Sequence, residues 1–160
     1  MSDKINKKIV IGAAAAGIEL KEKIKELMDE EGVEYEDVGL DSADEEVYYP
    51  TVSKRVAEKI IDSDYEKEGI IICGTGIGVA ITANKFPKIY AAQVYDCYGA
   101  ERAALSNDAN VITLGSRITG SVLAQKIVKE WLGLEFKPSR SSKKLAEIYE
   151  MEAENLKDIK

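Results

Sequence analysis

A single cysteine stands where an apolar stretch meets a glycine-rich turn. The segment "IIICGTGIGVAITANK", residues 70–85, passes through Cys73 into the turn at 74–78 and then into a helical pattern. A thiol at the amino end of a helix faces the positive end of the helix dipole, which favours the thiolate. Backbone N–H groups of such a turn can converge on a phosphate, or on an oxyanion that develops during a reaction. The segment therefore predicts a reactive thiol beside an anion-binding turn.

The plainer interpretation is a small buried cysteine followed by a tight turn. Gly-rich turns between a strand and a helix are common. This one matches neither the G-x-G-x-x-G motif of dinucleotide-binding proteins nor a P-loop. Taken alone, these residues leave both interpretations open.

Histidine is absent from all 160 residues, and the chain has two cysteines. Acid–base chemistry near neutral pH must therefore use a cysteine, a carboxylate or a tyrosine. Two cysteines without histidine predict neither a metal site of the zinc type nor a disulfide framework. These features are typical of a reducing compartment, and we expect a cytoplasmic location.

The length of the chain suits one domain, and its formal net charge is −7. An acidic protein repels a phosphate backbone, so we expect no nucleic-acid partner. The amino-terminal segment "MSDKINKKIVIG" lacks the apolar stretch of a signal peptide. The longest uncharged run, 69–84, is shorter than the roughly 20 residues of a membrane helix, so we expect no membrane association.

Short apolar runs alternate with amphipathic helical patterns along most of the chain. The predicted strands are 7–13, 33–40, 68–73, 88–94 and 110–116, and the predicted helices are 17–31, 50–63, 76–85, 97–106 and 119–132. Five strand–helix units predict an α/β protein. The expected architecture is a three-layer, doubly wound, five-stranded parallel sheet of the flavodoxin-like or Rossmann-like kind.

The carboxyl-terminal segment follows this α/β pattern with a further helix, predicted over residues 141–158. We divide the chain into an α/β domain at 1–138 and a helical extension at 139–160. An isolated helix needs a tertiary partner to be stable. The extension packs either on its own domain or on a second subunit, and we favour the second subunit because five strand–helix units leave little uncovered surface.

Ligands of parallel sheets bind beyond the carboxyl ends of the strands. Chemistry is therefore expected in the loops that follow the predicted strands, which are 13–17, 40–49, 73–78, 95–98 and 115–119. Cys73 falls in the middle of this set.

A longer segment, "IIICGTGIGVAITANKFPKIYAAQVYDCYGAERAALSNDANVITLGSRITG", combines the motifs "CGTGIG", "ANK", "NDANV" and "LGSRITG". In these motifs the chain resembles the family of type B ribose-5-phosphate isomerases and galactose-6-phosphate isomerase subunits, over about residues 8 to 150. The resemblance implies a flavodoxin-like fold in homodimers or homotetramers with shared active sites. It implies aldose–ketose isomerisation of a phosphorylated pentose or hexose, with ribose 5-phosphate as the default substrate and no cofactor.

By this resemblance, Cys73 matches the catalytic thiol, which moves a proton between C1 and C2 of an open-chain sugar phosphate. The reaction needs a base near neutral pH and stabilisation of an enediolate. The turn after the thiol matches the anion-stabilising loop, to which the Thr75 hydroxyl also belongs. The loop residues are Gly74, Gly76, Ile77 and Gly78.

The resemblance also assigns basic and amide side chains to the substrate. Asn107 matches an asparagine that contacts the sugar, and Arg117 matches a basic substrate-binding position. Arg140 and Lys144 match positions associated with the phosphate, which an arginine can hold with two parallel hydrogen bonds. The alternative for these last two is solvated charge on an exposed tail.

The first loop departs from the family's pattern. The family usually reads Gly-Ser-Asp-His-Ala-Gly there, whereas this chain has alanine throughout 13–16. Ala14 and Ala15 thus occupy the aspartate and histidine positions, and we keep both as expected substrate-lining residues. Tyr48 replaces an acidic residue of the family and is expected to line the pocket, with Tyr49 as a further candidate.

Three more histidine positions of the family are Tyr95, Ser106 and Ser141 here. A cyclic sugar needs a proton donor at its ring oxygen and a base at its anomeric hydroxyl. We expect Tyr95 to act in catalysis, and the other candidates for ring opening are Asp96, Thr75 and Ser106.

Three explanations of these departures compete. The protein is an isomerase for a different phosphorylated sugar, such as one that is already open-chain. Alternatively it is one subunit of a heteromeric isomerase, as in the galactose-6-phosphate enzymes, or a sugar-phosphate-binding protein with little turnover. The intact thiol and anion loop favour the first explanation.

Overall fold

The computed structural model describes residues 5–157, and the predicted helix end at 158 lies outside them. The strands are β1 (Lys8–Ala13), β2 (Glu34–Asp37), β3 (Glu68–Cys73), β4 (Ala91–Gln93) and β5 (Val111–Gly115). The helices are α1 (Ile18–Glu30), α2 (Tyr49–Asp62), α3 (Ile77–Ala83), α4 (Cys97–Leu105), α5 (Ser121–Leu132) and α6 (Ser142–Lys157), with a 3₁₀ turn at Ala15–Gly17 before α1.

All five strands are parallel and lie in the order β2-β1-β3-β5-β4. The doubly wound α/β class predicted from the alternating pattern is confirmed. Compared with the flavodoxin order 2-1-3-4-5, the last two strands are exchanged. The physical reason is burial: the five residues of β5 are all buried, whereas the three of β4 are only partly buried and suit the edge.

Four of the five predicted strands are longer than the observed ones, most of all 33–40 and 88–94. The segment 88–94 contributes only Ala91–Gln93 to the sheet, because asparagine side chains bind the backbone where the chain enters the strand, at Tyr90 and Ala91. The Tyr90 amide donates to Asn110 Oδ1 at 2.9 Å, and the Ala91 amide donates to Asn84 Oδ1 at 2.8 Å. Such side-chain contacts replace the ladder bonds that a longer strand would make.

The core has one layer on each face of the sheet. One cluster joins the inward residues of α1, α4 and α5, among them Ile24, Ala100 and Trp131. The second cluster joins α2 and α3 through residues such as Val56 and Val79. Side chains alternate along β3, so Ile70 and Ile72 enter the first cluster while Ile71 and Cys73 enter the second. Strand periodicity therefore turns the Cys73 thiol toward α2 and α3.

Helix α6 contacts its own domain near the amino edge of the sheet. Leu145 is buried, and the ring of Tyr149 lies 5.2 Å from that of Tyr90. Glu152 accepts hydrogen bonds from the Tyr90 hydroxyl at 2.6 Å and the Lys88 amide at 2.8 Å. Burial, together with this carboxylate, raises the pKa of Tyr90.

Among the residues that the structure describes, no helix combines the length and apolar character needed to cross a bilayer.

Folding buries the charged side chain of Lys21 completely, at 0% exposure. Its ammonium lies 2.9 Å from Asp37 Oδ2 and donates to the Leu40 carbonyl at 2.6 Å. Burial by itself would raise the pKa of Asp37, but hydrogen bonds from two lysines and a backbone amide hold that pKa below its usual value. This ion pair fixes the start of the loop between β2 and α2.

Replacing Asp37 by asparagine should lower the free energy of unfolding at pH 7 by about 3–5 kcal/mol, since Lys21 would stay buried without its carboxylate. Glu26→Gln, which removes an exposed pair with Lys23, is the matched control and should cost less than about 1 kcal/mol. Urea denaturation measures the free energy of unfolding of both variants. Equal losses in the two variants would show that the buried pair has no special role.

The stabilisation from Asp37 should also depend on pH. Because folding lowers this pKa, the contribution is fully present above the unfolded value of about 3.9 and is lost as the pH falls through the folded value. Asp37→Asn should therefore show a shallower loss of stability than the wild type below pH 4. Parallel pH profiles would contradict this assignment.

Candidate active site

Cys73 is the last residue of β3 and is 8% exposed. Its Sγ accepts a hydrogen bond from the Gly76 amide at 3.1 Å. A backbone N–H directed at sulfur stabilises negative charge there. The thiol thus sits in the strand-to-helix turn that the sequence indicates, with a donor already aimed at it.

The end of β5 packs directly against the turn at 74–78. The backbone of Gly76 is left-handed, with φ +79°, and its carbonyl accepts a 2.8 Å hydrogen bond from the Thr113 hydroxyl. A Cβ on Gly115 would lie 2.6 Å from the backbone of Thr75, so the two segments touch directly. Gln93 adds a further bond, because its Nε2 donates to the Thr75 carbonyl at 2.7 Å. Sequence reasoning did not single out Gln93.

The side chain of Thr75 is exposed and lies at the mouth of the turn. Its Oγ1 accepts a hydrogen bond from the Ile77 amide at 3.3 Å, which leaves the hydroxyl proton for another acceptor. The first N–H groups of any α-helix lack partners within the helix, and in α3 these belong to the residues around Gly78. Because the Gly76 and Ile77 amides already have partners, the turn can offer an anion the Thr75 hydroxyl and the N–H groups around Gly78.

Arg117 supplies positive charge beside the same turn. The backbone amide of Arg117 donates to the Gly74 carbonyl at 3.0 Å. The preceding amide, that of Ser116, donates to the Cys73 carbonyl at 2.9 Å. The Arg117 Nη1 lies 3.4 Å from the point where a Cβ of Gly74 would stand. The guanidinium thus lies beside Gly74 of the anion loop.

The first loop passes directly beside the thiol but brings no polar side chain. The Ala14 amide donates to the Ile72 carbonyl at 2.9 Å, and the strand register that pairs Ala13 with Ile72 places Ala14 next to Cys73. Ala14 and Cys73 belong to one apolar cluster, whereas Ala15 is exposed. The wall of the site on this side consists of methyl groups.

Of the two tyrosines at the start of α2, it is Tyr49 that contacts the anion loop. A Cβ on Gly78 would lie 2.6 Å from the Tyr49 ring, whereas Tyr48 is 83% exposed. Helical spacing could have identified this residue. Tyr49 begins α2 three residues before the buried Val52, so the two share a face of the helix.

Tyr95 and Asp96 follow β4 at the same edge of the sheet as Cys73. Strand β5 lies between β4 and β3, so two strand spacings, about 10 Å, separate them from the thiol. Tyr95 is 58% exposed, and the Asp96 carboxylate caps α4 by accepting from the Gly99 amide at 2.7 Å. Within one chain, Gln93 of β4 contacts the Cys73 turn, whereas Tyr95 lies beyond the end of that strand and is largely exposed.

Asn107 lies at the opposite edge. It precedes β5, whose far end, Gly115, is the residue paired with Cys73. The length of β5 alone separates the two edges by about 13 Å. Asn107 lines a hollow of about 220 Å³ together with Leu145 and Tyr149 of α6.

Arg140 and Lys144 belong to the same side of the molecule as Asn107. Both are exposed, in the turn before α6 and in its first turn, close to the buried Leu145. Within one chain, the expected site residues thus form two groups. One surrounds Cys73, and the other surrounds Asn107 at the start of α6.

A cavity of about 610 Å³ also lies at the amino edge, where Glu68, Asp108 and Glu152 line it beside three tyrosines. Burial raises the pKa of Glu68, against the opposing effect of Lys7, and burial likewise raises the pKa of Asp108. The lining also includes Lys88, but the three carboxyl groups outnumber it, so this cavity suits a phosphate poorly. Within residues 5–157, no group of three cysteine or acidic side chains is arranged to hold a metal ion.

Comparison with known proteins matches the chain over nearly its whole length. The family model described as Ribose/Galactose Isomerase matches residues 9–148. The chain is 42% identical over 148 residues to "Ribose-5-P isomerase B" of Listeria innocua, covering 92% of this chain and 99% of the relative. It is 43% identical over 137 residues to "D-erythrulose-4-phosphate isomerase 2" of Mycolicibacterium smegmatis, covering 84% and 90%.

A solved structure of a related protein has the same fold. The crystal structure of ribose-5-phosphate isomerase B from Mycoplasma genitalium with bound ribulose 5-phosphate superimposes with a TM-score of 0.87 at 32% identity. The match covers 93% of this chain and 98% of that one. With the motifs, the sheet and the thiol turn all in agreement, the chain belongs to the Ribose/Galactose Isomerase family.

Proposed function

We propose that this protein interconverts an aldose phosphate and the corresponding ketose phosphate, with Cys73 as the base that carries a proton between C1 and C2. The observation that carries the proposal is the 3.1 Å hydrogen bond from the Gly76 amide to the Cys73 sulfur. The named activities of the relatives support it, since each is an isomerase of a phosphorylated sugar.

The turn supplies what the reaction intermediate needs. Removing a proton next to a carbonyl gives an enediolate, and donors aimed at its oxygen lower the barrier. The N–H groups around Gly78 and the Thr75 hydroxyl are these donors, and the Arg117 guanidinium adds positive charge. Enediolate chemistry by this route requires no cofactor.

We further propose that two copies of the chain complete each active site. Asn107, Arg140 and Lys144 lie away from Cys73 within one chain, so a second copy would bring them to the thiol. Arg140 and Lys144 then bind the phosphate, the arginine through two parallel hydrogen bonds. Large apolar side chains are exposed near both groups, Ile77 and Ile81 on α3 and Ile148 and Met151 on α6. The assembly is a homodimer, or a homotetramer built from such dimers, with α6 at the interface.

Domain boundaries and location follow from the same proposal. Residues 1–138 form the isomerase domain, and the extension at 139–160 contributes the phosphate group and the subunit contact. Both cysteines are free, and the base works only as a reduced thiol. We therefore place the protein in the reducing cytoplasm, where it acts without nucleic acid or membrane.

The alanine loop favours a second candidate function. Ala14 places a methyl group beside the thiol, so the pocket could serve a sugar-phosphate-binding protein, or one subunit of a heteromeric isomerase. Neither alternative needs Cys73 to exchange a substrate proton in the purified homo-oligomer. Proton exchange therefore separates them from the enzyme.

Cys73→Ala should lower proton exchange between substrate and heavy water by about 10²–10⁴-fold, because the base is lost. NMR of the C1 and C2 protons, with ribulose 5-phosphate and related sugar phosphates, measures it. Cys97→Ala is the matched control and should keep its activity. Undiminished exchange in a folded Cys73→Ala protein would refute the role of the thiol.

Gly76→Ala should impair both stability and turnover. A left-handed alanine costs roughly 1–2 kcal/mol, and its Cβ would lie 3.0 Å from the Leu114 backbone, which would move the amide away from Cys73. Gly120→Ala, at φ −65° with open space around it, is the control. Thermal unfolding and kcat are measured together, and a Gly76→Ala enzyme with wild-type kcat would contradict the role of the turn.

Mixing inactive subunits tests the shared site. Cys73→Ala and the double variant Arg140→Ala/Lys144→Ala should each be inactive as pure proteins. When the two are unfolded and refolded together, random dimers should regain about one quarter of wild-type activity, because half the dimers contain one intact site. Recovery confined to the level of the unmixed variants would show that each site belongs to one chain.

A further inference from the structure

We propose that the substrate is a four-carbon sugar that carries its phosphate on C4, so that neither the aldose nor the ketose can close a ring. This inference rests on the proposed function and names its substrate class. It follows from what surrounds Cys73 and from the chemistry of sugar rings.

An isomerase that acts on a cyclic sugar must open the ring before it can move the proton. Pentose 5-phosphates and hexose 6-phosphates are mainly cyclic as aldoses, and only their open-chain forms present the carbonyl and the acidic proton. Opening the ring requires one group to give a proton to the ring oxygen and another to take one from the anomeric hydroxyl. An enzyme without such groups must wait for spontaneous opening.

The position of the phosphate decides which sugars escape this requirement. In a four-carbon sugar 4-phosphate, the hydroxyl that would form a five-membered ring is esterified, so aldose and ketose are both acyclic. In a five-carbon sugar 5-phosphate, the 2-ketose is acyclic for the same reason, but the aldose closes through its free O4. Among sugars of four to six carbons that carry a phosphate on the last carbon, only the four-carbon pair needs no ring opening in either direction.

The residues beside the thiol do not provide ring-opening groups. No copy of the chain can supply an imidazole, since histidine is absent from the sequence. Ala14, at the end of the strand neighbouring β3, presents a methyl group beside Cys73, and Ala15 follows it. The side of the site that adjoins the thiol therefore lacks a proton carrier.

Two other polar groups at this edge are engaged in holding the fold. The Ser116 hydroxyl donates to the Ala16 carbonyl at 2.6 Å, and Asp96 caps α4. By the proposed function Thr75 serves the oxyanion, and Tyr95, which follows β4, is 58% exposed, with β5 between its strand and β3. Tyr49 packs on Gly78 of the anion loop and offers a phenol as an acid, but ring opening also needs a base, and the Asp96 carboxylate already caps α4.

The residues that a second copy of the chain would bring to the site do not supply ring-opening groups either. Ser106 Oγ accepts a hydrogen bond from Arg102 at 3.3 Å. Arg140 and Lys144 are cations assigned to the phosphate, and arginine stays protonated at any pH the protein survives. What a second copy adds is phosphate recognition, which a four-carbon substrate needs as much as a longer one.

The test uses three probes with the wild-type protein and Cys73→Ala as control. Erythrulose 4-phosphate and ribulose 5-phosphate are both acyclic but differ in length, whereas ribose 5-phosphate is the cyclic partner of the second. Exchange of the C1 protons with heavy water is followed by NMR for the two ketoses. Conversion of ribose 5-phosphate is followed at increasing enzyme concentration by rapid mixing.

The proposal expects Cys73-dependent exchange with both ketoses, fastest for erythrulose 4-phosphate by kcat/KM. It expects the rate with ribose 5-phosphate to reach a ceiling equal to spontaneous ring opening, however much enzyme is added. A rate that keeps rising in proportion to enzyme beyond that ceiling would overturn the proposal, because the protein would then be opening the ring. Faster exchange with ribulose 5-phosphate than with erythrulose 4-phosphate would also overturn it. Absence of exchange with every probe would refute the isomerase function itself, which is a different outcome.

Discussion

Close backbone packing around the carboxyl end of β3 is the constraint on which the site depends. A Cβ on Gly17 would lie 2.8 Å from the Ile72 carbonyl oxygen, and one on Gly115 would lie 2.6 Å from the Thr75 backbone. These two glycines let the first loop and the end of β5 touch the segment that carries Cys73. The thiol, its backbone donor and the guanidinium of Arg117 therefore keep fixed positions relative to one another, which is the preorganisation that oxyanion stabilisation requires.

The first loop contributes packing to this arrangement and no polar side chain. Ala14 shares an apolar cluster with Cys73, so the hydrogen bond from the Gly76 amide to the sulfur lies against a surface of low polarity. Electrostatic interactions are stronger in such surroundings than in water. The same methyl groups carry no proton for a ring oxygen on this side of the site. Under the proposed function, this one feature favours the chemistry at C1 and C2 and favours acyclic sugars as substrates.

The sheet also separates the two functions of the proposed site. The carboxyl edge holds the thiol and the anion loop, whereas Asn107, Arg140 and Lys144 lie with α6 at the other side of the same domain. A cavity at this amino edge is lined by Glu68, Asp108 and Glu152, and α6 is held there by the hydrogen bond from Tyr90 to Glu152. A chain that divides catalysis and phosphate binding in this way gains a complete pocket only by self-association, which links the proposed activity to the assembly of subunits.

Local patterns in the sequence determined the α/β class, the position of Cys73 at a strand end and the glycine-rich turn behind it. They could do so because strand and helix periodicities, and the conformations that glycine permits, depend on neighbouring residues. The exchange of β4 and β5 depended instead on which strand buries more of its surface, and the choice of Tyr49 over Tyr48 on the register of α2. The sequence resemblance assigned Asn107, Arg140 and Lys144 to the substrate, but only the tertiary structure showed that one chain holds them apart from Cys73. Residue type and order specify the groups that do chemistry, while the distance between groups far apart in the chain is set by how strands and helices pack.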